Sequence, residues 1–155
     1  MSIAIKGLTK AFGKKQVLQE LDLTIESGQC YCLLGKNGVG KSTFLNAILD
    51  LIQPDKGSIE LYGKGYSANH LEVKQNQGAL CEDNPLIEEF TGLEYLNFVS
   101  KLYNLPTAEA AERIKSLTNY FFTDQESLHK NIAGYSTGMK KRLALWQPSC
   151  INLRY

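Results

Sequence analysis

Apolar and polar residues alternate along "SIAIKGL" and again along "QVLQELDLTIE", the period-two pattern of two strands in a half-buried sheet, with "AFGKK" as the turn between them. "QCYCLL" is nearly all apolar, which predicts a strand covered on both faces, as in a parallel sheet. The glycine-rich "GKNGVGKST" comes next, then "TFLNAILDLI", which reads as a compact helix. "QPDKG" carries turn chemistry and leads into a short strand, "SIELYG"; "GALCE" reads as another. The period then changes. Thr91 and Glu94 spell a capping box at the head of "GLEYLNFVSKLYNL", where Leu93, Leu96, Val99 and Leu102 recur at helical spacing. Thr107 is placed to cap a second helix, whose stripe is Ala110, Ile114, Leu117 and Phe121. Both stripes predict helix–helix core. The chain therefore reads as a single domain, with a β-rich part over 1–85, a helical part over 86–145 and an off-pattern tail over 146–155, where Pro148 blocks a helical ladder.

Composition narrows the class without naming a chemistry. A chain of 155 residues is long enough to bury a full core, and 43% hydrophobic residues is a globular proportion. The formal charge of +1 argues against a nucleic-acid binder working by bulk electrostatics, so no nucleic-acid partner is expected. No apolar run reaches the length needed to span a bilayer, and "MSIAIKGLTK" lacks the layout of a signal peptide, so a cytoplasmic location is expected. Cys30, Cys32, Cys81 and Cys150 show no second pair at metal-ligand spacing, and His70 and His129 have no ligand partners nearby in the sequence. They read as reduced, mostly buried thiols.

The strongest chemical signal is Gly35-Lys36-Asn37-Gly38-Val39-Gly40-Lys41-Ser42, which fits G-x-x-x-x-G-K-[ST] at every fixed position and continues into Thr43. Glycines let a backbone curl until successive N–H groups face a common anion. A helix starting near Lys41 adds the positive end of its dipole. In such a loop Lys41 reaches the β- and γ-phosphates and the Ser42 hydroxyl ligates Mg²⁺, so the site expected here takes a nucleoside triphosphate, with magnesium.

About 95 residues further on, Tyr135-Ser136-Thr137-Gly138-Met139 precedes "KKRLAL". Ser136 is placed to N-cap a helix, with Gly138 in its first turn. Alone this is only a capped helix start. With the phosphate loop, the chain over residues 1 to about 145 resembles the ATP-binding subunit of ABC transporters. That resemblance implies an α/β fold of the P-loop NTPase type: an N-terminal antiparallel β-subdomain, a P-loop core and a helical subdomain, here with an incomplete core sheet. It implies that Ser136, Thr137, Gly138 and Met139 stand for the family's LSGGQ signature, which faces the ATP held by a partner subunit; Tyr, Thr and Met depart from the usual residues. It implies that adenine stacks on Phe12, with Val17 near the base, although Phe12 by itself also reads as a turn aromatic packing locally. It places Glu82 where the family usually has a magnesium-sensing Gln, although Glu82 also reads as a solvated loop residue. The implied cofactors are ATP and Mg²⁺. The implied partners are a second ABC nucleotide-binding subunit and a transmembrane permease, with the assembly peripheral on the cytoplasmic face of the membrane. The "YSTGM" form and Glu82 look most like bacterial export cassettes.

The family's next elements are an apolar strand closing in Asp-Glu and a later His. After Glu126 this sequence has no Asp or Glu, and after His129 no His, so no catalytic residue is assigned. The expectation is a truncated or frameshifted cassette that binds ATP without efficient hydrolysis, its "QCYCLL" strand left without a neighbour. Two other readings stay open: a non-catalytic nucleotide-binding remnant, or a soluble ABC-type ATPase not engaged in transport.

Overall fold

The structure, a computed structural model, describes residues 3–80, 86–122 and 125–146. They form two compact units, Met1–Gln75 and Asn76–Tyr155. The alternating segments at the start are strands, as their period requires: β1 (Ile3–Phe12) and β2 (Lys15–Ile25) pair antiparallel from Ile3↔Ile25 to Phe12↔Lys15. β3 (Lys56–Leu61) pairs with the other edge of β1, and β4 (Lys64–Gly65) follows it, so the sheet order is β2-β1-β3-β4. β1 is bulged between Lys6 and Thr9, and there β3 passes so close that a Cβ on Gly57 (φ +90°) would lie 2.5 Å from the carbonyl oxygens of both Lys6 and Gly7.

α1 (Lys41–Ile48) and α2 (Tyr66–Gln75) bury Phe44, Ala47, Ile48 and Val73 with Ile5, Leu8, Leu18, Ile59 and Leu61 of the sheet. α1 ends in carbonyls without intrahelical donors. α2 supplies donors for them: Tyr66 Oη donates to Ile48 O (2.6 Å) and Lys74 Nζ to Leu49 O (2.7 Å). Sequence periodicity did not reveal α2, whose apolar positions make almost no stripe and whose backbone is kinked at Asn69.

The expected strand at "QCYCLL" is absent: residues 29–36 carry no regular structure. Cys30 and Cys32 are free thiols and exposed rather than buried, and Tyr31 and Leu34 stand in solvent, Leu34 at 83%. The physical reason is that a strand covered on both faces needs hydrogen-bonding neighbours. The described strands all pair among themselves, leaving none to flank this segment. Cys81, Glu82 and Cys150 lie outside the described residues; of the strand expected at "GALCE", residues 78–80 are described and carry no regular structure.

In the second unit the capping box forms as the sequence predicts. Thr91 Oγ1 accepts from Glu94 N (3.3 Å), and Glu94 Oε2 accepts from Thr91 N and Oγ1 (2.8 Å each), opening α3 (Gly92–Leu102). Those donors hold the Glu94 carboxyl below the ordinary glutamate range. A carboxylate with a depressed folded value stabilises above its unfolded pKa and loses that contribution as pH falls through the folded one. Amide protection in the first turn of α3, relative to the intrinsic exchange rate at each pH, should therefore fall below about pH 4.5, the ordinary value. Glu94→Gln should remove this pH dependence; an unchanged acid profile would mean the box is not held by charge.

α4 (Thr107–Phe121) corrects one expectation. Its N-cap is Pro106 (φ −56°, ψ 139°), with no side-chain capping bond, and Thr107 is already helical: proline's fixed φ suits the residue that enters a helix, and its ring offers no acceptor to the first-turn amides. The stripe of α4 faces inward, Ala110 and Ile114 buried and Leu117 and Phe121 half-buried. In α3, Leu96 and Val99 are buried and Leu93 is partly so, but Leu102 at the last position is exposed, and Tyr95 and Ser100 complete the inner face. Two 3₁₀ turns, Gln125–His129 and Ile132–Gly134, lead to α5 (Thr137–Ala144). α5 ends at Ala144, with Leu145 as its C-cap. Trp146, expected to open an off-pattern tail, is instead buried in the core with Leu96, Phe122 and Leu143. Its ring is large enough to fill the space beside α4 whatever follows it, although the indole Nε1 has no hydrogen-bond partner among the described residues. Among the described residues, no helix is long and apolar enough to cross a membrane.

Candidate nucleotide-binding site

The phosphate loop runs from Gly35 into the first turn of α1. Val39 N donates to Lys36 O (3.4 Å), closing a turn over Asn37 and Gly38. Gly38 (φ +78°) and Gly40 (φ +107°) both adopt left-handed backbone, and Gly40 is the N-cap of α1. No L-residue takes these angles without strain. Phe44 N is the first to make a helical bond, to Gly40 O (2.9 Å). The amides of Lys41, Ser42 and Thr43 precede it and are the orphan donors of a helix start, available to an anion.

Lys41 Nζ folds back over the loop and donates to Gly35 O (2.7 Å) and Lys36 O (2.9 Å). The ammonium thus sits at the loop that the glycines shape. Ser42 is exposed and Thr43 half-buried. These residues fit a triphosphate: a left-handed glycine turn, a helix N-terminus and a cation converge on one stretch. For magnesium, Ser42 offers the one hydroxyl assigned here that the structure describes, since Glu82 lies outside the described residues. Among those residues no cluster of three His, Cys, Asp or Glu could hold a metal by itself.

Val17 comes to this loop from β2. A Cβ on Gly40 would lie 2.8 Å from Val17 Cγ1 and 3.1 Å from Val17 O, so the hairpin and the loop are in contact through an absent side chain. Both line a cleft of about 560 Å³ with Leu21, Tyr31, Val39 and Lys41. Phe12 is not part of that lining. It stands half exposed at the end of the same hairpin, two positions from Lys10, whose ammonium is 5.6 Å from the ring centroid. Lys10 is held in turn by Asp55 (2.8 Å), which also accepts from Ala11 N (2.7 Å). The Lys10 and Ala11 donors keep the Asp55 carboxyl below its usual range. Sequence reasoning missed Lys10 and Asp55. Lys10 was legible, since residues two apart share a strand face; Asp55 was not, because it reaches β1 only through the sheet.

The signature segment folds as its capping residue requires. Ser136 is the N-cap of α5 and its Oγ accepts from Met139 N (3.3 Å). Ser136, Thr137 and Gly138 are exposed, while Met139 is half-buried against the core of the second unit. Lys140 Nζ pairs with Glu88.

Comparison with known proteins converges on one family. The family model described as ABC transporter matches residues 18–152. The Nod factor export ATP-binding protein I of Sinorhizobium fredii is 33% identical over 145 residues, covering 94% of this chain and 42% of that protein. The bacitracin transport ATP-binding protein BcrA of Bacillus licheniformis is 29% identical over 147 residues, covering 94% and 47%. The chain thus spans less than half the length of these curated relatives. A solved structure of an ATP-binding subunit of an ABC transporter superposes with a TM-score of 0.86 at 26% identity, covering 97% of this chain and 62% of that one. A phosphate loop at a helix start, a serine-capped helix after it and a family match across most of the sequence lead to one conclusion: the chain belongs to the ABC transporter family, in its ATP-binding part.

Proposed function

We propose that this chain is the ATP-binding portion of an ABC transporter subunit, one that couples nucleotide binding to export across a membrane. The observation that carries the reading is the loop itself: two left-handed glycines, the open amides at the start of α1 and the Lys41 ammonium 2.7 Å from Gly35 O, all within nine residues. The amides and Lys41 hold the β- and γ-phosphates. Phe12 stacks the adenine, with Val17 at its edge. Ser42 contributes a ligand to Mg²⁺, which when bound offsets phosphate charge; Glu82 is a second candidate.

Ser136 and Gly138 meet the triphosphate held by a second nucleotide-binding subunit, again as an anion at a helix N-terminus. A membrane permease is the other partner, which places the assembly on the cytoplasmic face. Nod factor export, the role named for the Sinorhizobium fredii relative, favours export as the direction. The 155 residues hold no Asp or Glu after Glu126 to polarise an attacking water. The polypeptide alone therefore binds ATP and scarcely cleaves it. Calorimetry of the purified chain should show saturable ATP binding, while a phosphate-release assay with magnesium stays at background. Brisk release would overturn the non-hydrolytic part of this reading, and absence of binding would overturn all of it.

A further inference from the structure

We infer that Tyr135, immediately before the signature serine, is a positioning residue: its buried hydroxyl is seated on the N-terminus of α3 and fixes where the first turn of α5 lies. The inference rests on the role proposed above for Ser136 and Gly138. Tyr135 is 6% exposed, and its Oη donates to Ser127 O at 2.7 Å. A Cβ on Gly92 would lie 2.3 Å from that hydroxyl, so the phenol occupies the space that only a glycine leaves free.

Gly92 is the first residue of α3, and its N–H has no acceptor within the helix. Burial pushes the phenol's pKa up, and the Gly92 backbone beside it opposes that push. One hydroxyl thus joins three elements: the start of α3, the 3₁₀ turn at Gln125–His129 and the entry to α5. The main chain just before it is tied to the same place, with Ile132 N donating to Phe90 O (2.9 Å), Ala133 N to Glu88 O (3.1 Å) and a bridge between Thr91 and Asn131. Ser136, Thr137 and Gly138 beyond Tyr135 are exposed, and burial resumes at Met139 and Leu143. The exposed serine is therefore placed between Tyr135 on one side and the buried face of α5 on the other, and Tyr135 is the anchor that adjoins it. A leucine at 135 would fill apolar space but offer no hydroxyl to bond Ser127 O. Tyr135 and the glycine at 92 are sterically matched.

Tyr135→Phe keeps the ring and removes the clamp. In the full chain it should speed amide exchange at Met139 about tenfold, the scale of one lost buried hydrogen bond. It should weaken magnesium-ATP-dependent self-association, followed by sedimentation, by a similar factor or more, since displacement of a contact by about 1 Å is costly. ATP affinity of the monomer should not move, because the phosphate loop belongs to the first unit and Tyr135 to the second. Gly92→Ala should disturb the fold of the second unit, and Gly92→Ala combined with Tyr135→Leu should restore it, leucine having no hydroxyl to collide. Association of Tyr135→Phe equal to wild type would overturn the inference and leave the proposed function standing. So would failure of the double variant to rescue Gly92→Ala. A wild-type chain that binds ATP but never associates on it would overturn the trans contact, and this inference with it.

Discussion

Replacing Lys41 with alanine is expected to weaken ATP binding by about ten- to a hundredfold, the loss of a charged hydrogen bond of about 1.5–3 kcal/mol. Two effects combine. The ammonium proposed to meet the β- and γ-phosphates is gone, and so are the bonds from Nζ to Gly35 O and Lys36 O that hold the loop around it. Titration with ATP, inorganic triphosphate and adenosine separates the contributions: the first two should weaken together, while adenosine, which has no phosphate, should not change. Lys36→Ala is the control, because only its backbone carbonyl takes part in the loop bonding described here. ATP affinity unchanged in Lys41→Ala would mean the nucleotide binds somewhere other than Gly35–Thr43.

The largest expected loss of stability belongs to Gly57→Ala. A methyl there would press to 2.5 Å on two carbonyl oxygens of β1, and the backbone is in the left-handed region at φ +90°. Neither oxygen can move aside, since both lie in the bulged strand at the centre of the sheet. Left-handed strain alone costs about 1–3 kcal/mol for a non-glycine residue. Overpacking adds about 1–3 kcal/mol more, which is large against a total of about 5–15. Gly63→Ala is the matched comparison, with φ +72° and nothing within 4 Å of the added carbon, so it carries the strain without the collision. Denaturant midpoints should fall far more for Gly57→Ala than for Gly63→Ala. Equal midpoints would show that the crossing of β1 and β3 relaxes and that the close approach is not a constraint.

Local patterns were legible wherever a single element decides them. The capping box at Thr91 and Glu94, the Ser136 cap and the glycine loop depend on residues within a few positions of one another, and each forms with the expected bonds or angles. The stripes of α3 and α4 were readable because a helix face repeats with a fixed period, although Leu102 shows that a stripe does not extend to a helix end by itself. The mistaken strand at "QCYCLL", Gln29–Leu34, has the opposite character. A run of apolar residues states that a segment seeks cover, but whether it becomes a strand depends on which neighbours are present to pair with it.

For the candidate site, residue types and spacing alone marked the phosphate loop and the signature serine, because amide-lined anion binding needs glycine and a helix start in that order. They also supplied the resemblance to the family that comparison then established. What only the tertiary structure decided are contacts between segments far apart in the chain. Val17 fills the space beside Gly40, Asp55 steadies Lys10 next to Phe12, Trp146 enters a core, and Tyr135 is seated on Gly92. Each is a question of which atoms a fold brings within reach. Such distances are set by packing across the chain, and no local periodicity encodes them.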